Sequence, residues 1–480
     1  MDALYIVFAV IAAFIAIILI RTAMFKPPLE KTKEPEKVSF DDGAAISALQ
    51  ELVRCRTVSF YDSSLEDDSE FERFVDLLPK LYPEVARVCT LTRLPGRALL
   101  FKWEGIEHSE PTILMAHYDV VPVNEEGWTK PPFDAVIDEN GVLWGRGCLD
   151  TKLTVNGILF AANHLIFQGF KPKHDIYFAF SGCEEINGPG VPNIVDWFEK
   201  QGITPALVLD EGGAVIENVF PGITRPCGLI GIAEKGLLNL EFRVSSPGGH
   251  SSAPEPHTPI GILSRACCRV ENHPFKMHIS APTAEMFDTL GRHSTFFYRM
   301  IFANLWCFRG ILDMLGKKTG GDMNAMLRTT VAFTQASGSQ APNVIPPSAS
   351  FIANIRLNPH DNIDSAVEYI RKVVADENVQ LIVGKDADNP SVISETRCPA
   401  WDKIAETVQE TWPDCIVSPY LMVQCSDSRH YGRISNHVYR FSAADMKADE
   451  LSSIHGNDEH IRVEVAKRAV EFYIRLIRKC

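Results

Sequence analysis

Side chains that can hold metal ions follow several segments of this sequence that read as buried strands or glycine-rich turns. They are His117, Asp119, Asp150, Glu184, Glu185, Asp210, Glu211 and, far downstream, His455. His117 and Asp119 lie two positions apart after the apolar run 112–116, so both project from the same side of an extended chain. Open α/β sheets bind their ligands beyond the carboxyl ends of the strands. We therefore expect these side chains to meet in one cleft.

Zinc is the metal that this set of side chains favours. It accepts imidazole nitrogen and carboxylate oxygen as ligands, and catalytic zinc sites leave one position open for water. If one carboxylate bridges, two metals can share the set. Taken singly, a histidine is more often a surface or core side chain, and a pair such as Glu184-Glu185 is usually solvated. Their joint occurrence at successive strand ends instead predicts a metal centre.

The order of apolar segments predicts an α/β fold with a mostly parallel central sheet flanked by helices. Between residues 111 and 213, strand-like runs alternate with helix-like runs, as in βαβ units. After Gly236 the pattern changes to that of a smaller α+β unit. We predict a catalytic domain made of residues 41–236 and 389–480, with an inserted domain at 237–388.

The N-terminus reads as a membrane anchor. Residues 3–20 form an unbroken apolar run, close to the ~20 residues that span the hydrocarbon core. We predict a single-pass transmembrane anchor at 1–21 and a tether rich in proline and charge at 22–40. A cleaved signal peptide is the alternative, but no basic segment precedes the run and no small-residue cleavage site follows it.

The flanking charges bear on which side of the membrane the globular part occupies. The basic residues beside the apolar run all follow it, and they are Arg21, Lys26, Lys31 and Lys33. By the positive-inside rule this arrangement favours a cytoplasmic enzyme, but so few charges leave the side open.

Charge and cysteine usage exclude some classes. The formal net charge of -14 argues against a nucleic-acid partner, because such proteins neutralise phosphates with clustered lysine and arginine. The 12 cysteines are scattered without CxxC spacing and read as core residues rather than disulfides. Residues 295–315 are rich in large apolar side chains. A core helix is the plainer interpretation, and an acyl-chain pocket or a membrane-resting surface are the alternatives.

Five ordered motifs resemble the aminoacylase and carboxypeptidase S family of co-catalytic zinc metallopeptidases. They lie at residues 114–122, at 145–152, at Glu184-Glu185, at 209–213 and at 248–252. The likeness covers nearly everything after Asp41. Residues 343–347, 426–429 and 454–456 also resemble the branch that contains carboxypeptidase S and the N-fatty-acyl-amino acid synthase/hydrolase. The resemblance implies a zinc-exopeptidase fold whose inserted domain acts as a lid or dimerisation domain.

The resemblance also implies roles for the metal-ligating residues. His117 and Glu211 would hold one Zn2+, Glu185 and His455 the other, and Asp150 would bridge them. Asp210 and Glu211 are adjacent, so only one of them can face the metals, and alignment with the family favours Glu211. In the family, the peptide bond that follows the bridging aspartate is cis.

Two carboxylates of the resembling motifs would act in catalysis. Asp119 would buttress His117 and fix its tautomer. Glu184 would take a proton from the attacking water and hand it to the departing amine.

Substrate binding rests on four further residues. Arg356 and Arg429 are candidates to pair with a substrate carboxylate, and either one is equally well explained as part of a structural ion pair. Asn343 would assist them. His250 resembles the histidine that stabilises the oxyanion, from the same chain or from the neighbouring subunit of a homodimer, and its plainer interpretation is a turn histidine.

The function expected from this resemblance is zinc-dependent hydrolysis, with re-formation in reverse, of the amide bond of N-acyl amino acids. The apolar stretch 295–315 and the membrane anchor favour fatty-acyl substrates. A carboxypeptidase or dipeptidase with the same metals is the main alternative. A tethered binding or scaffold protein that kept the fold without catalysis is the alternative from another class.

Overall fold

The computed structural model describes residues 2–28 and 36–480. The helices are α1 (Asp2–Met24), α2 (Asp42–Val53), α3 (Asp68–Leu81), α4 (Pro83–Val88), α5 (Lys152–Phe167), α6 (Gly190–Gln201), α7 (Pro259–Asn272), α8 (Ala281–His293), α9 (Phe296–Ala303), α10 (Leu305–Thr319), α11 (Gly321–Leu327), α12 (Ile363–Val374), α13 (Pro399–Thr411), α14 (Ala448–Ser453) and α15 (Val463–Arg478). The strands are β1 (Thr90–Leu94), β2 (Ala98–Trp103), β3 (Glu107–His117), β4 (Val136–Ile137), β5 (Val142–Trp144), β6 (His174–Ser181), β7 (Leu207–Ile216), β8 (Cys227–Glu234), β9 (Gly236–Ser245), β10 (Gly249–His250), β11 (Thr330–Ser337), β12 (Val344–Ile345), β13 (Ser348–Leu357), β14 (Gln380–Val383), β15 (Ile416–Met422), β16 (Val438–Met446) and β17 (His460–Arg462).

An eight-stranded sheet forms the centre of the molecule, in the order β1-β2-β6-β3-β7-β16-β8-β15. The four inner strands β6, β3, β7 and β16 are parallel, as the alternation of strands and helices predicts. The sheet as a whole is mixed, because β1 and β2 pair antiparallel at one edge and β8 is antiparallel to its neighbour β16. A short turn joins β1 to β2 with Gly96 and Arg97 at positive φ, and so short a connection allows only an antiparallel hairpin.

Helices cover both faces of this sheet. On one face α5 is buried along most of its length and packs against α15. The two helices approach closely at Gly157, where an added Cβ would lie 2.9 Å from the ring of Tyr473. On the other face α6 packs on β1, β2 and β6. The tight packing of α5 fixes its first residue, Lys152, and with it the preceding turn that carries Asp150.

A second sheet uses chain between Gly236 and Val383. Its strand order is β11-β13-β9-β14, and every pairing is antiparallel. Helices α7 and α12 pack on it around a separate hydrophobic core. A two-stranded ribbon of β10 and β12 pairs His250 with Val344. The domain boundaries at 237 and 388 stay a prediction.

The N-terminal helix α1 extends three residues beyond the predicted anchor end at residue 21. Residues Ala3–Met24 are long and apolar enough to cross a membrane, and the most apolar window of this helix is not buried inside the protein. Both a membrane anchor and a signal sequence fit this observation. The charges Lys31 and Lys33 and residues 29–35 of the predicted tether lie outside the described residues.

The stretch 295–315 differs from the core helix that its composition favours. It forms α9 and most of α10. Phe302 and Leu312 are buried in a core with α8, whereas Phe297 and Trp306 are exposed. Both helices are therefore apolar on their buried side and on their solvent side.

Candidate metal centre

Three of the proposed metal ligands, His117, Glu185 and Glu211, lie at or near the ends of inner parallel strands, whereas Asp150 precedes α5 and His455 follows α14. His117 is the last residue of β3 and pairs with Ser181, the last residue of β6. On the other side of β3, strand β7 carries Glu211 just beyond the residues that pair with β3. The prediction that strand ends bring these side chains together is in agreement with the structure.

Asp150 lies between two histidines. Its Oδ1 is 3.0 Å from His117 Nε2, and its Oδ2 is 3.0 Å from His455 Nε2. Glu211 Oε1 is 3.3 Å from the same nitrogen of His117, and Glu185 Oε2 is 3.1 Å from that of His455. The five side chains thus form two groups that share Asp150. Within each group the ligand atoms lie within 4.8 Å of one another, as a metal ion requires.

The charges of these groups favour bound cations. Burial chiefly, helped by the nearby Asp150 and opposed by His117, raises the pKa of Glu211 to about 8. Burial also raises the pKa of Glu184 well above its ordinary value. Hydrogen bonds to Asp150 and Glu185 raise the pKa of His455 to about 10. Against the effect of burial, the histidines hold the pKa of Asp150 below its ordinary value, so this carboxylate is ionised. Divalent cations can replace the protons that the other groups retain, so the donor set fits two divalent metal ions.

The adjacent acids Asp210 and Glu211 point in different directions. Glu211 faces His117, whereas Asp210 is buried and its Oδ2 accepts a hydrogen bond from the backbone N–H of Ser428 at 3.1 Å. This is the alternation that an extended chain imposes. Of the two, the geometry makes Glu211 available to a metal.

Asp119 has a different set of contacts from the one expected. His117 Nδ1 is 2.9 Å from the backbone carbonyl of Asp119 and 3.5 Å from its carboxylate. That carboxylate accepts hydrogen bonds from the backbone N–H groups of Glu184 and Glu185 and from Ser59 Oγ. Asp119 is fully buried, so its side chain ties the end of β6 to that of β3.

The turn that carries Asp150 is held by a residue that the sequence did not reveal. Glu459 is fully buried, and its Oε1 accepts backbone hydrogen bonds from Gly147, Leu149 and Asp150 at 2.9–3.1 Å. Its Oε2 lies 2.7 Å from the guanidinium of Arg146. The peptide bond Asp150-Thr151 is cis, as the family resemblance predicts. A lone glutamate four positions after His455 carries no sequence signal for this role.

A cavity of about 460 Å³ opens beside the two metal-binding groups. Glu184, Glu185, Glu211, His455 and Asp150 line it, together with Arg356. The guanidinium of Arg356 donates to Cys425 Sγ and to Asn354 Oδ1, and no carboxylate pairs with it among the residues that the structure describes. Arg356 can therefore receive a carboxylate from a ligand in this cavity.

The other predicted substrate residues are not brought into the cavity. Arg429 forms an ion pair with Asp388 at 3.1 Å, which agrees with its structural interpretation. His250 is exposed on the β10–β12 ribbon, and its Nδ1 lies 2.8 Å from Ser252 Oγ. Asn343 precedes β12 on the same ribbon, and its backbone carbonyl accepts from Ser251. The roles of these three residues stay predictions.

Comparison with known proteins gives a consistent result. The profile of Peptidase family M20/M25/M40 matches residues 113–479. Probable carboxypeptidase S-like 2 of Dictyostelium discoideum is 33% identical to this chain, and the matched region covers 94% of this chain and 89% of that protein. The N-fatty-acyl-amino acid synthase/hydrolase of Xenopus tropicalis is 34% identical to this chain, and the matched region covers 98% of this chain and 93% of that protein.

Solved structures support the fold. The metallo-carboxypeptidase Sso-CP2 from Sulfolobus solfataricus superposes with a TM-score of 0.67, over 90% of this chain and 98% of that one, at 16% identity. At that identity the likeness concerns the arrangement of the chain and not the substrate. The predicted zinc-exopeptidase fold is confirmed.

Proposed function

The chain belongs to peptidase family M20/M25/M40, and from that premise we propose that it hydrolyses, and re-forms in reverse, the amide bond of N-acyl amino acids. The observation that carries the proposal is Asp150, which presents one carboxylate oxygen to each of two histidines. Two zinc ions would share it. The ligands assigned to them are His117 and Glu211 for one ion, and Glu185 and His455 for the other.

Each ligand contributes in its own way. Asp150 would hold both ions, and its turn is fixed by Glu459. His117 is held by the backbone carbonyl of Asp119, which directs its Nε2 towards the site. When bound, zinc would polarise the substrate carbonyl and lower the pKa of water.

Glu184 would move the proton. Its carboxylate lines the cavity beside the ligands, and its backbone is fixed by Asp119. In this proposal it takes a proton from the attacking water and donates it to the departing amine nitrogen.

Arg356 would bind the free carboxylate of the substrate. A guanidinium can pair with a carboxylate through two parallel hydrogen bonds, and this one lines the cavity without a carboxylate partner in the described chain. Arg429 and Asn343 would act only indirectly. His250 would reach the oxyanion after closure of the inserted domain, or from the other subunit of a homodimer.

The acyl group would lie along apolar side chains of the same cavity. They are Leu149, Ala214, Ile216, Leu237, Met422, Met446, Leu451 and Ile454. An apolar wall of this kind suits a hydrocarbon chain, and it supports fatty-acyl amino acids as the preferred substrates. The Xenopus tropicalis relative carries that activity in its name.

The proposal includes the predicted architecture. Residues 41–236 and 389–480 would form the catalytic domain, and 237–388 the lid or dimerisation domain, which has a sheet and a core of its own. Helix α1 would anchor the enzyme to the membrane.

A substrate panel tests the reaction. The full chain, purified in detergent, would be offered N-oleoyl-phenylalanine and a blocked dipeptide, with and without a chelator, and its zinc content measured. We expect two zinc ions per chain, loss of turnover with the chelator, and preference for the fatty-acyl substrate. A folded protein that binds no zinc and turns over neither substrate would contradict the proposal and favour the scaffold interpretation.

A carboxypeptidase or dipeptidase is the second candidate. The name of the Dictyostelium discoideum relative supports it. In that case the dipeptide would be cleaved faster than the N-acyl amino acid, with the same dependence on zinc.

A further inference from the structure

Helices α9 and α10 expose an unusual number of large apolar side chains. We call them the α9–α10 apolar face, which consists of Phe296, Phe297, Tyr298, Trp306, Ile311, Met314 and Leu315. Phe297 and Met314 are each 61% exposed, and Trp306 is 57% exposed. Ile311, Met314 and Leu315 are spaced three and four positions apart, so they share one side of α10. Neighbouring apolar side chains at this exposure mark an interaction surface.

This face continues onto α1. Asn304, between α9 and α10, donates to the backbone carbonyl of Ile18 and lies equally close, at 3.3 Å, to Thr22 Oγ1. The guanidinium of Arg21 donates to the carbonyl of Ala303. The rings of Phe14 and Trp306 meet edge to face, with centroids 5.6 Å apart. The apolar helix and the apolar face therefore form one surface.

The position of these contacts along α1 suits a membrane in which α9 and α10 lie at the bilayer surface. The apolar run of α1 ends at Ile20, and Phe14 lies six positions earlier, which is about 9 Å along a helix. Interfacial helices bury their apolar side about 5–10 Å into the boundary between headgroups and acyl chains. With α1 in a bilayer, Trp306 lies level with Phe14 and therefore near that depth.

The charges beside the face agree with this position. Residues 295–319 contain four basic residues and one acidic residue, in a chain whose net charge is -14. The basic residues are Arg299, Arg309, Lys317 and Lys318. Basic side chains next to a membrane surface are attracted by anionic lipids.

We propose that the α9–α10 apolar face lies in the headgroup and acyl boundary of the bilayer that α1 enters. The enzyme then has two contacts with the membrane, one along the bilayer normal and one in its plane. A single helix would leave the enzyme free to tilt, whereas two contacts fix its orientation. The inference rests on the proposed membrane position of α1 and is independent of the reaction.

Depth-dependent quenching tests the proposal. The full chain would be reconstituted into vesicles of phosphatidylcholine and phosphatidylserine whose acyl chains are brominated near the headgroup. We expect part of the tryptophan fluorescence to be quenched, and this quenched part to be lost in Trp306→Phe. The matched control Trp197→Phe should retain it, because α6 packs at the opposite edge of the sheet, on β1, β2 and β6.

A second pair of variants reports on the far end of the face. In the Trp306→Phe background, Met314→Trp should restore quenching, whereas Phe167→Trp, at a side chain 78% exposed in α5, should not. Absence of quenching at Met314→Trp in a chain that resists carbonate extraction would overturn the proposal. Photo-crosslinking of two copies through position 314 would overturn it in favour of an interface between chains, and a chain that carbonate extracts would overturn its premise.

The reaction is followed separately in the same variants. Retained turnover of a soluble N-acetyl amino acid shows that the active site is intact while the membrane contact changes. If the unsubstituted chain is quenched but turns over no N-acyl amino acid, the result counts against the proposed function and leaves the membrane contact standing.

Discussion

Asp119 fixes Glu184 through the backbone. Oδ1 of Asp119 accepts a hydrogen bond from the main-chain N–H of Glu184 at 3.1 Å, and Oδ2 accepts one from Glu185 at 3.2 Å. One buried carboxylate thus positions the proposed base and a proposed metal ligand together. A carboxylate is suited to this task because both of its oxygens accept hydrogen bonds.

Replacing that carboxylate by an amide tests the arrangement. In Asp119→Asn an NH2 group faces a backbone N–H, so the segment 184–185 has to shift. We expect kcat/KM to fall roughly 10- to 100-fold, as for other groups that orient metal ligands. Turnover and zinc content check this, and Asp67→Asn, an exposed helix cap, is the control. Unchanged turnover would show that Asp119 does not position the site.

Substitutions of Glu184 and Glu185 are expected to have different effects, one on the catalytic rate and the other on metal binding. Glu184→Gln should lower kcat by roughly 10²- to 10⁴-fold with the zinc content unchanged, because only the proton acceptor is lost. Glu185→Gln should lower the zinc content, because this residue faces His455. Metal analysis beside steady-state kinetics distinguishes them. A Glu184→Gln protein that turns over substrate at the wild-type rate would rule out Glu184 as the general base.

Arg356 is expected to determine recognition of the carboxylate. Arg356→Gln removes hydrogen bonds to a charged group, worth about 1.5–3 kcal/mol, so kcat/KM should fall at least tenfold. For a substrate whose carboxylate is esterified, the same substitution should change kcat/KM little. Arg429→Gln is the matched control, because Arg429 already pairs with Asp388. An equal loss for the free acid and its ester would contradict this role.

Glu459 is expected to matter for stability as well as for activity. Glu459→Gln leaves Arg146 buried without its charge partner, and breaking such a buried pair costs about 3–5 kcal/mol. Denaturant unfolding measures the loss. Glu464→Gln breaks an exposed pair with Lys467 and should change the free energy of unfolding by less than about 0.5 kcal/mol. Equal effects of the two substitutions would argue against the buried pair.

His430 is expected to make stability depend on pH. Burial, helped by Arg429, lowers the pKa of His430 to about 4. Its unfolded pKa is about 6.5, so between these values the unfolded chain binds a proton that the folded protein does not. The free energy of unfolding should therefore fall as pH falls from about 6.5 to 4, by at most about 1.4 kcal/mol per pH unit. Denaturant unfolding at several pH values should show that His430→Gln lacks this part of the pH dependence. The control substitution His257→Gln, at an exposed histidine, should keep it.

The strand ends were predictable from sequence. An apolar run followed by His117 leaves little choice about where the imidazole lies, because a buried strand must end at the edge of the sheet. The same logic applies to Glu184 and Glu185 after β6 and to Glu211 on β7. Local pattern and family resemblance together therefore predicted the candidate site.

Other features depend on contacts between distant parts of the chain. Glu459 binds the turn at Gly147 through three-dimensional closeness, and neither residue type nor spacing marks such a pair. The antiparallel β1–β2 hairpin rests on a short turn outside the βαβ alternation. For residues 295–315 composition favoured a core helix over an acyl-chain pocket or a membrane-resting surface, because composition does not tell a core helix from a surface one.

The two histidines that face Asp150 enter the chain at very different times during synthesis. His117 emerges early, and His455 follows only after the second sheet has been made. The proposed second metal site is therefore incomplete until residue 455 has been made, however well the earlier strands have folded. A nascent chain that ends before His455 lacks one of the two imidazoles that face Asp150, so its candidate metal centre is incomplete.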